Sequence, residues 1–221
     1  MILTELCLFA EKIKVFMKPV YKAHPWHGIP IGEKAPETVT TFIEIVPSDT
    51  IKYEIDKDSG YLKIDRPQKY SNIIPSLYGF IPQTYCGEEV ARLARERGAE
   101  KVIEGDGDPL DICVLSSHNI PHGDILLQAI PIGGLCLLDK GEADDKIIAV
   151  LVADPIYQKY QDITELPEAI ITRLKHYFLT YKSLPDEKNA IEISNVYGRE
   201  AAHEVIRKSM MDYRDLIFKP I

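Results

Sequence analysis

Three carboxylates fall within six positions of one another in the string Gly105-Asp106-Gly107-Asp108-Pro109-Leu110-Asp111. Gly105 and Gly107 free the backbone, and Pro109 prevents a regular central strand. Carboxylates held this close raise one another's pKa unless a cation offsets the repulsion. Oxygen-only donors suit magnesium, manganese or calcium rather than zinc. Taken by itself the string is equally compatible with a solvated acidic turn. An EF-hand is excluded, because counting Asp106 as the first loop position puts Asp111 where glycine is required and Ser117 where the bidentate glutamate belongs. No Gly-x-x-x-x-Gly-Lys-Ser/Thr loop is present, and Gly105-Asp106-Gly107 lacks the third glycine of a dinucleotide loop.

A second acidic group, Asp139, Glu142, Asp144 and Asp145, lies between two apolar segments, where it reads as a hairpin loop. Brought beside Asp111, Asp139 and Asp144 would complete an oxygen-donor set able to hold two ions roughly 3.5 to 4 Å apart. Lys52, Arg66, Lys146 and Lys182, with Tyr78 and Tyr181, are unremarkable singly. Near an acidic metal site they would form a clamp for a polyanionic substrate. No His-Glu-x-x-His pair and no Gly-x-Ser-x-Gly elbow occurs, so covalent catalysis has no visible candidate.

The elements that must position these residues follow from pattern. The 221 residues, 45% of them hydrophobic, suffice for one sizeable core, and a net charge of -8 disfavours broad binding to nucleic acid. Cys7, Cys86, Cys113 and Cys136 form no Cys-x-x-Cys pair, which fits a reducing cytoplasm. Residues 1–17 carry apolar side chains at helical spacing, predicting an amphipathic helix rather than a signal peptide or a membrane-bound segment. A Pro- and Gly-rich linker follows, from Pro25 to Pro36. Strands are predicted at Val39 to Val46 and Ile51 to Ile55, where alternation places Lys52 and Glu54 on one face. Turn chemistry at Asp58-Ser59-Gly60 makes Ile51 to Ile55 and Tyr61 to Asp65 a hairpin.

Glu88 to Arg97 reads as a short exposed helix, an insertion ended by Gly98. Apolar segments at Ile112 to Leu115, Ile125 to Leu138 and Lys146 to Ala153 follow, the second broken by Pro131 and Gly133-Gly134 as in a bent strand. Two helices, Pro167 to Leu184 and Arg199 to Ile217, close the chain. Strands first and helices last predict an α+β fold with a mainly β core.

The acidic string resembles the signature of family I soluble inorganic pyrophosphatases. The match continues in family order through Ile51-Lys52-Tyr53-Glu54-Ile55-Asp56, Asp65-Arg66-Pro67, Tyr78-Gly79, Asp139 to Lys146, and His176-Tyr177-Phe178 to Tyr181-Lys182. It covers roughly residues 38 to 185. The His24-Pro25-Trp26-His27 segment and the long stretch from Cys86 to Glu104 resemble a subgroup seen in some intracellular bacteria.

The resemblance implies a small five-stranded OB-like β-barrel flanked by C-terminal helices, with an extra N-terminal helix. Residues 1–37 would form the helix and linker extension, and residues 38–221 a single catalytic domain. It further implies Asp108 as general base; Asp106, Asp111, Asp139, Asp144 and Glu54 as metal ligands; Lys52, Arg66, Tyr78, Lys146, Tyr181 and Lys182 as phosphate-binding side chains; and Glu44 as an inner acidic support. The implied cofactor is Mg2+, three to four ions per site, with Mn2+ as a substitute. Pyrophosphate is the implied partner, with no nucleic acid and no membrane, in a cytoplasmic homo-oligomer. Ile74, Leu77 and Cys136 depart from the residues common in the family, which bears on secondary hydrogen bonds and subunit contacts. Two rival classes are a metal-dependent phosphohydrolase acting on other substrates, separated by a substrate panel, and a non-catalytic oligonucleotide-binding module, separated by a single-stranded DNA binding assay.

Overall fold

The computed structural model describes residues 22–68, 71, 73–182 and 191–218. The helix expected over residues 1–17, Cys7, and the far end of the helix expected to reach Leu184 lie outside the described residues. In chain order the strands are β1 (Val39–Ile45), β2 (Ile51–Ile55), β3 (Leu62–Pro67), β4 (Leu77–Phe80), β5 (Glu104–Gly105), β6 (Asp111–Leu115), β7 (Ile125–Asp139), β8 (Glu142–Ala143), β9 (Lys146–Leu151) and β10 (Ile191–Gly198). The helices are α1 (Glu88–Glu96), α2 (Glu168–Thr180) and α3 (Arg199–Phe218).

The main sheet runs β1-β4-β6-β9-β7-β8-β5, and a further β1–β7 pairing closes five of these strands, β1, β4, β6, β9 and β7, into a ring. The ring is possible because β7 is long and bent. Its first half pairs with β1, from Val39↔Ala129 to Ile43↔Ile125, while its second half pairs with β10. The break at Pro131 to Gly133 is a register shift against β9, where an unpairable proline nitrogen and flexible glycines let one strand serve two directions.

Alternation along β6 and β9 divides their side chains between two of three apolar clusters among the described residues. On β6, Ile112 and Val114 join a cluster with α1 and α3, while Cys113 and Leu115 join a second cluster with α2. On β9, Ile147 and Ala149 divide from Ile148 and Val150 in the same way. Both strands are therefore apolar at successive positions, as expected of strands covered on both faces. Ile74, Leu77 and Cys136, the three departures noted above, are all buried in these clusters.

Two expectations need correction. The segment after Cys86 is a helix bounded by Gly98 at φ +95°, as expected, but it is not an exposed insertion. Val90, Ala91, Leu93 and Ala94 are buried against the core, and α1 packs on α3. Its small apolar residues are outnumbered by charges, so the buried stripe is inconspicuous in sequence. The two C-terminal helices are also not consecutive, because β10 stands between them and pairs with the distal half of β7.

Candidate active site

The β2–β3 hairpin forms a separate two-stranded sheet, with Lys52 opposite Arg66. Its inner face, the acidic loop and β4 enclose a cavity of about 530 Å³ whose walls include Glu44, Lys52, Glu54, Lys57, Tyr78, Asp108 and Asp111. Lys52 Nζ bonds Glu54 Oε2 at 3.1 Å and Asp65 Oδ2 at 2.8 Å, so the alternation that put Lys52 and Glu54 on one face also places both in the wall. Tyr53 turns away to pack with the core on the other side.

The acidic loop is held by the segment that runs beside it. Cys86 donates its N–H to the Asp108 carbonyl at 2.8 Å, and the Gly107 N–H donates to the Cys86 carbonyl at 3.0 Å. Leu110 N–H donates to Thr84 Oγ1 at 2.9 Å. This intimacy explains the glycines: a Cβ at residue 105 would stand 2.2 Å from the Cys86 carbonyl oxygen, and Gly107 has φ +72°.

Parallel pairing of β6 with β9 sets Asp111 directly beside Lys146. Lys146, a residue 2% exposed, bonds both Asp111 and Asp144 through its ammonium. Burial opposes that charge, but the two carboxylates outweigh it and raise the lysine well above its ordinary range. Tyr78 donates its hydroxyl to Asp111 Oδ2 at 2.5 Å. Burial and then the Asp111 charge keep this phenol protonated far above its usual pKa.

Asp106 is driven well above the carboxylate range by burial and next by the charge of Asp144, to which it is hydrogen-bonded. Asp144, which burial alone would raise, is held low by Lys146 and by the hydrogen bond from Asp106. The two are pushed in opposite directions, Asp106 toward its neutral form and Asp144 toward its charged one. Glu44 accepts the Ile55 N–H at 2.6 Å, and burial with the nearby Asp111 charge pushes its carboxyl up to about 8.

The expected residues are not gathered equally. Glu44, Lys52, Glu54, Tyr78, Asp108 and Asp111 line the cavity. Asp106, Asp144 and Lys146 join it through Asp111. Asp139 is reached more indirectly, paired at 2.6 Å with Lys182, whose charge also acts on Asp144. Tyr181 stacks on Tyr177 with ring centroids 5.1 Å apart and lies under the Lys182 ammonium. Arg66 is placed on β3 opposite Lys52, but its guanidinium bonds Asp65 and is not part of the cavity wall.

One residue escaped the sequence reading, and another was named there without a role. Lys57, in the hairpin turn, bonds the Asp108 carboxylate and approaches the Gly107 carbonyl at 3.5 Å. Asp145, buried behind Asp144, accepts the Tyr197 hydroxyl at 2.7 Å, and burial raises its carboxyl to about 6. Lys57 lies three positions beyond Glu54 in the same charged run, a signal that could have found it. Asp145 was visible only as a member of the acidic group around Asp144.

Among the described residues no three His, Cys, Asp or Glu side chains form a ready-made metal cage. The donor chemistry nevertheless fits a hard divalent cation. Asp106 and Asp144 shift one another in opposite directions, and Asp111 and Asp144 lean on one ammonium, so a cation could replace both kinds of compensation.

The family model for inorganic pyrophosphatase matches residues 41–214. An inorganic pyrophosphatase of Chlamydia muridarum is 48% identical over 203 residues, spanning 90% of this chain and 97% of its own. Soluble inorganic pyrophosphatase 1 of Arabidopsis thaliana is 36% identical over 88% of this chain and 82% of its own. Among solved structures, the inorganic pyrophosphatase of Thermus thermophilus superposes with a TM-score of 0.73 at 31% identity, covering 87% of this chain and 99% of that one.

Proposed function

The chain belongs to the inorganic pyrophosphatase family, and from that premise we propose that it hydrolyses inorganic pyrophosphate to two orthophosphates by direct attack of water. The observation that carries this reading is one cavity in which Asp108, Asp111 and Glu54 face Lys52, Lys57 and Tyr78, a wall of carboxylates opposed by cations and a phenol. Asp106, Asp111, Asp139, Asp144 and Glu54 would hold three to four magnesium ions, or manganese in their place, which when bound lower the pKa of the attacking water and neutralise phosphate charge.

Asp108, on a loop fixed through Cys86, accepts the water proton while its oxygen attacks one phosphorus in line. The new P–O bond forms as the bridging P–O bond breaks, and the second phosphate leaves. No phosphoenzyme is involved. Lys52, Arg66, Lys146 and Lys182, with the hydroxyls of Tyr78 and Tyr181, offset charge on the two phosphates. Glu44, kept protonated near neutrality, supports the Ile55 backbone without adding negative charge.

Closure of five strands into a ring supports reading the core as the expected OB-like barrel. Residues 38–221 act as one catalytic domain and residues 1–37 as its extension, in a cytoplasmic homo-oligomer that uses neither nucleic acid nor membrane. Among the described residues no helix is long and apolar enough to cross a membrane.

Phosphate release from pyrophosphate, measured with and without magnesium, tests the reading. Activity should require the metal, and Asp108→Asn should lose roughly 10²- to 10⁴-fold in turnover. Metal-independent hydrolysis, or a fully active Asp108→Asn, would overturn it.

A further inference from the structure

Asp212, on α3, is 6% exposed and spends its carboxylate on another helix. Its Oδ2 accepts the Gly87 and Val90 N–H groups at 2.9 and 3.0 Å, and its Oδ1 accepts the Glu89 N–H at 2.9 Å. Those are three of the four N–H groups that the first turn of α1 leaves without a helical partner, and α1 has no side-chain cap of its own. Two residues are separately tied down nearby. The backbone carbonyl of Ser209, one turn back on α3, accepts the Tyr85 N–H at 3.0 Å, and Cys86 exchanges backbone hydrogen bonds with Gly107 and Asp108. Segment 85–87 is thus clamped on one side by α3 and on the other grips the acidic loop.

Resting on the function proposed above, we propose that Asp212 is a positioning residue for the catalytic loop, acting through Gly87 and Cys86 on the backbone of Asp108. The covalent path is short: the residue Asp212 holds, Gly87, is the direct neighbour of the residue that holds Asp108. A carboxylate suits the task because it accepts several N–H groups at once from a helix end whose dipole favours negative charge. Displacements of about 1 Å at a catalytic group cost up to about 10²-fold in rate, so a loosened segment 85–87 is felt in turnover rather than in substrate affinity.

The test uses the full chain with Asp212→Ala, Asp212→Asn and, as a control, Asp154→Ala, which removes a buried carboxylate from a distant loop. Steady-state phosphate release, thermal midpoints and hydrogen exchange at the Cys86 and Gly107 amides are read for each. Asp212→Ala should lower kcat roughly ten-fold with KM within about two-fold, and should speed exchange at both amides beyond what its loss of global stability accounts for. Asp212→Asn keeps one acceptor oxygen and should recover part of both effects. Asp154→Ala should lose stability with kcat unchanged and no excess exchange at these amides. If Asp212→Ala only lowers the midpoint, as the control does, the proposal fails. Should that variant not fold, Asp212→Asn with wild-type kcat and exchange overturns it equally. A wild-type chain that releases no phosphate would defeat the functional reading, while the exchange data would still decide whether Asp212 holds the loop.

Discussion

Asp154 and the Asp106, Asp111 and Asp144 group make an instructive pair. Asp154 is closed off from solvent, at 2% exposed, but lies in a loop just beneath the surface, whereas Asp106, Asp111 and Asp144 sit deep enough for burial to oppose their charge strongly. Depth and partners therefore act together. Burial opposes the Asp154 charge, yet the N–H groups of Tyr157, Ser117 and Ile156 and the Ser117 hydroxyl hold the carboxyl down at about 2. In the acidic group Asp106 and Asp111 are raised, because burial is joined by the charge of a neighbouring carboxylate and Lys146 compensates only in part. Partner type, acting together with depth, separates a carboxylate saturated by N–H donors from carboxylates set against one another.

The sharpest way to break this contrast is to remove the compensating cation. Lys146→Met should leave Asp111 and Asp144 facing each other and lower stability at neutral pH by roughly 3 kcal/mol, along with activity. Part of that loss should return as pH falls and the carboxyls protonate; denaturant melts at pH 7 and pH 5 would show it, and equal losses at both would argue against mutual repulsion. Asp154→Ala should cost about 2 kcal/mol with turnover intact. Since the folded pKa of about 2 lies below the ordinary 3.8, its contribution is complete above about pH 4 and fades as pH drops toward 2. Wild type and variant should therefore converge in acid melts. The smallest effect carries the opposite sign: Asp106→Asn should stabilise the metal-free chain by roughly 0.5 kcal/mol by relieving the pair with Asp144, while weakening magnesium binding in calorimetry. A destabilised Asp106→Asn would show that the pair is satisfied rather than strained.

Much of the fold could be read from pattern because local rules governed it. The β2–β3 hairpin followed from alternation plus Asp58-Ser59-Gly60, and the bend of β7 from Pro131 and its glycines. Strand β10 could not be read in this way. Ile191 and Ile193 alternate, but the register shift between Ile193 and Asn195 breaks the period and leaves a mixed string. Helix α1 was visible as a helix, yet its burial depended on a surface that α3 supplies from more than a hundred residues away.

At the site the division is similar. Residue type and close spacing in Gly105 to Asp111 settled that several carboxylates would stand together on a constrained loop, because seven residues cannot separate far and two of them are glycines. Which charges would meet them was decided by tertiary structure alone. Parallel pairing of β6 with β9 put Lys146 against Asp111, the hairpin turn brought Lys57 to Asp108, and α3 delivered Asp212 to the segment that holds the loop. Such meetings depend on strand register and helix docking, which sum over many distant contacts and leave no mark on the spacing of the residues that finally touch.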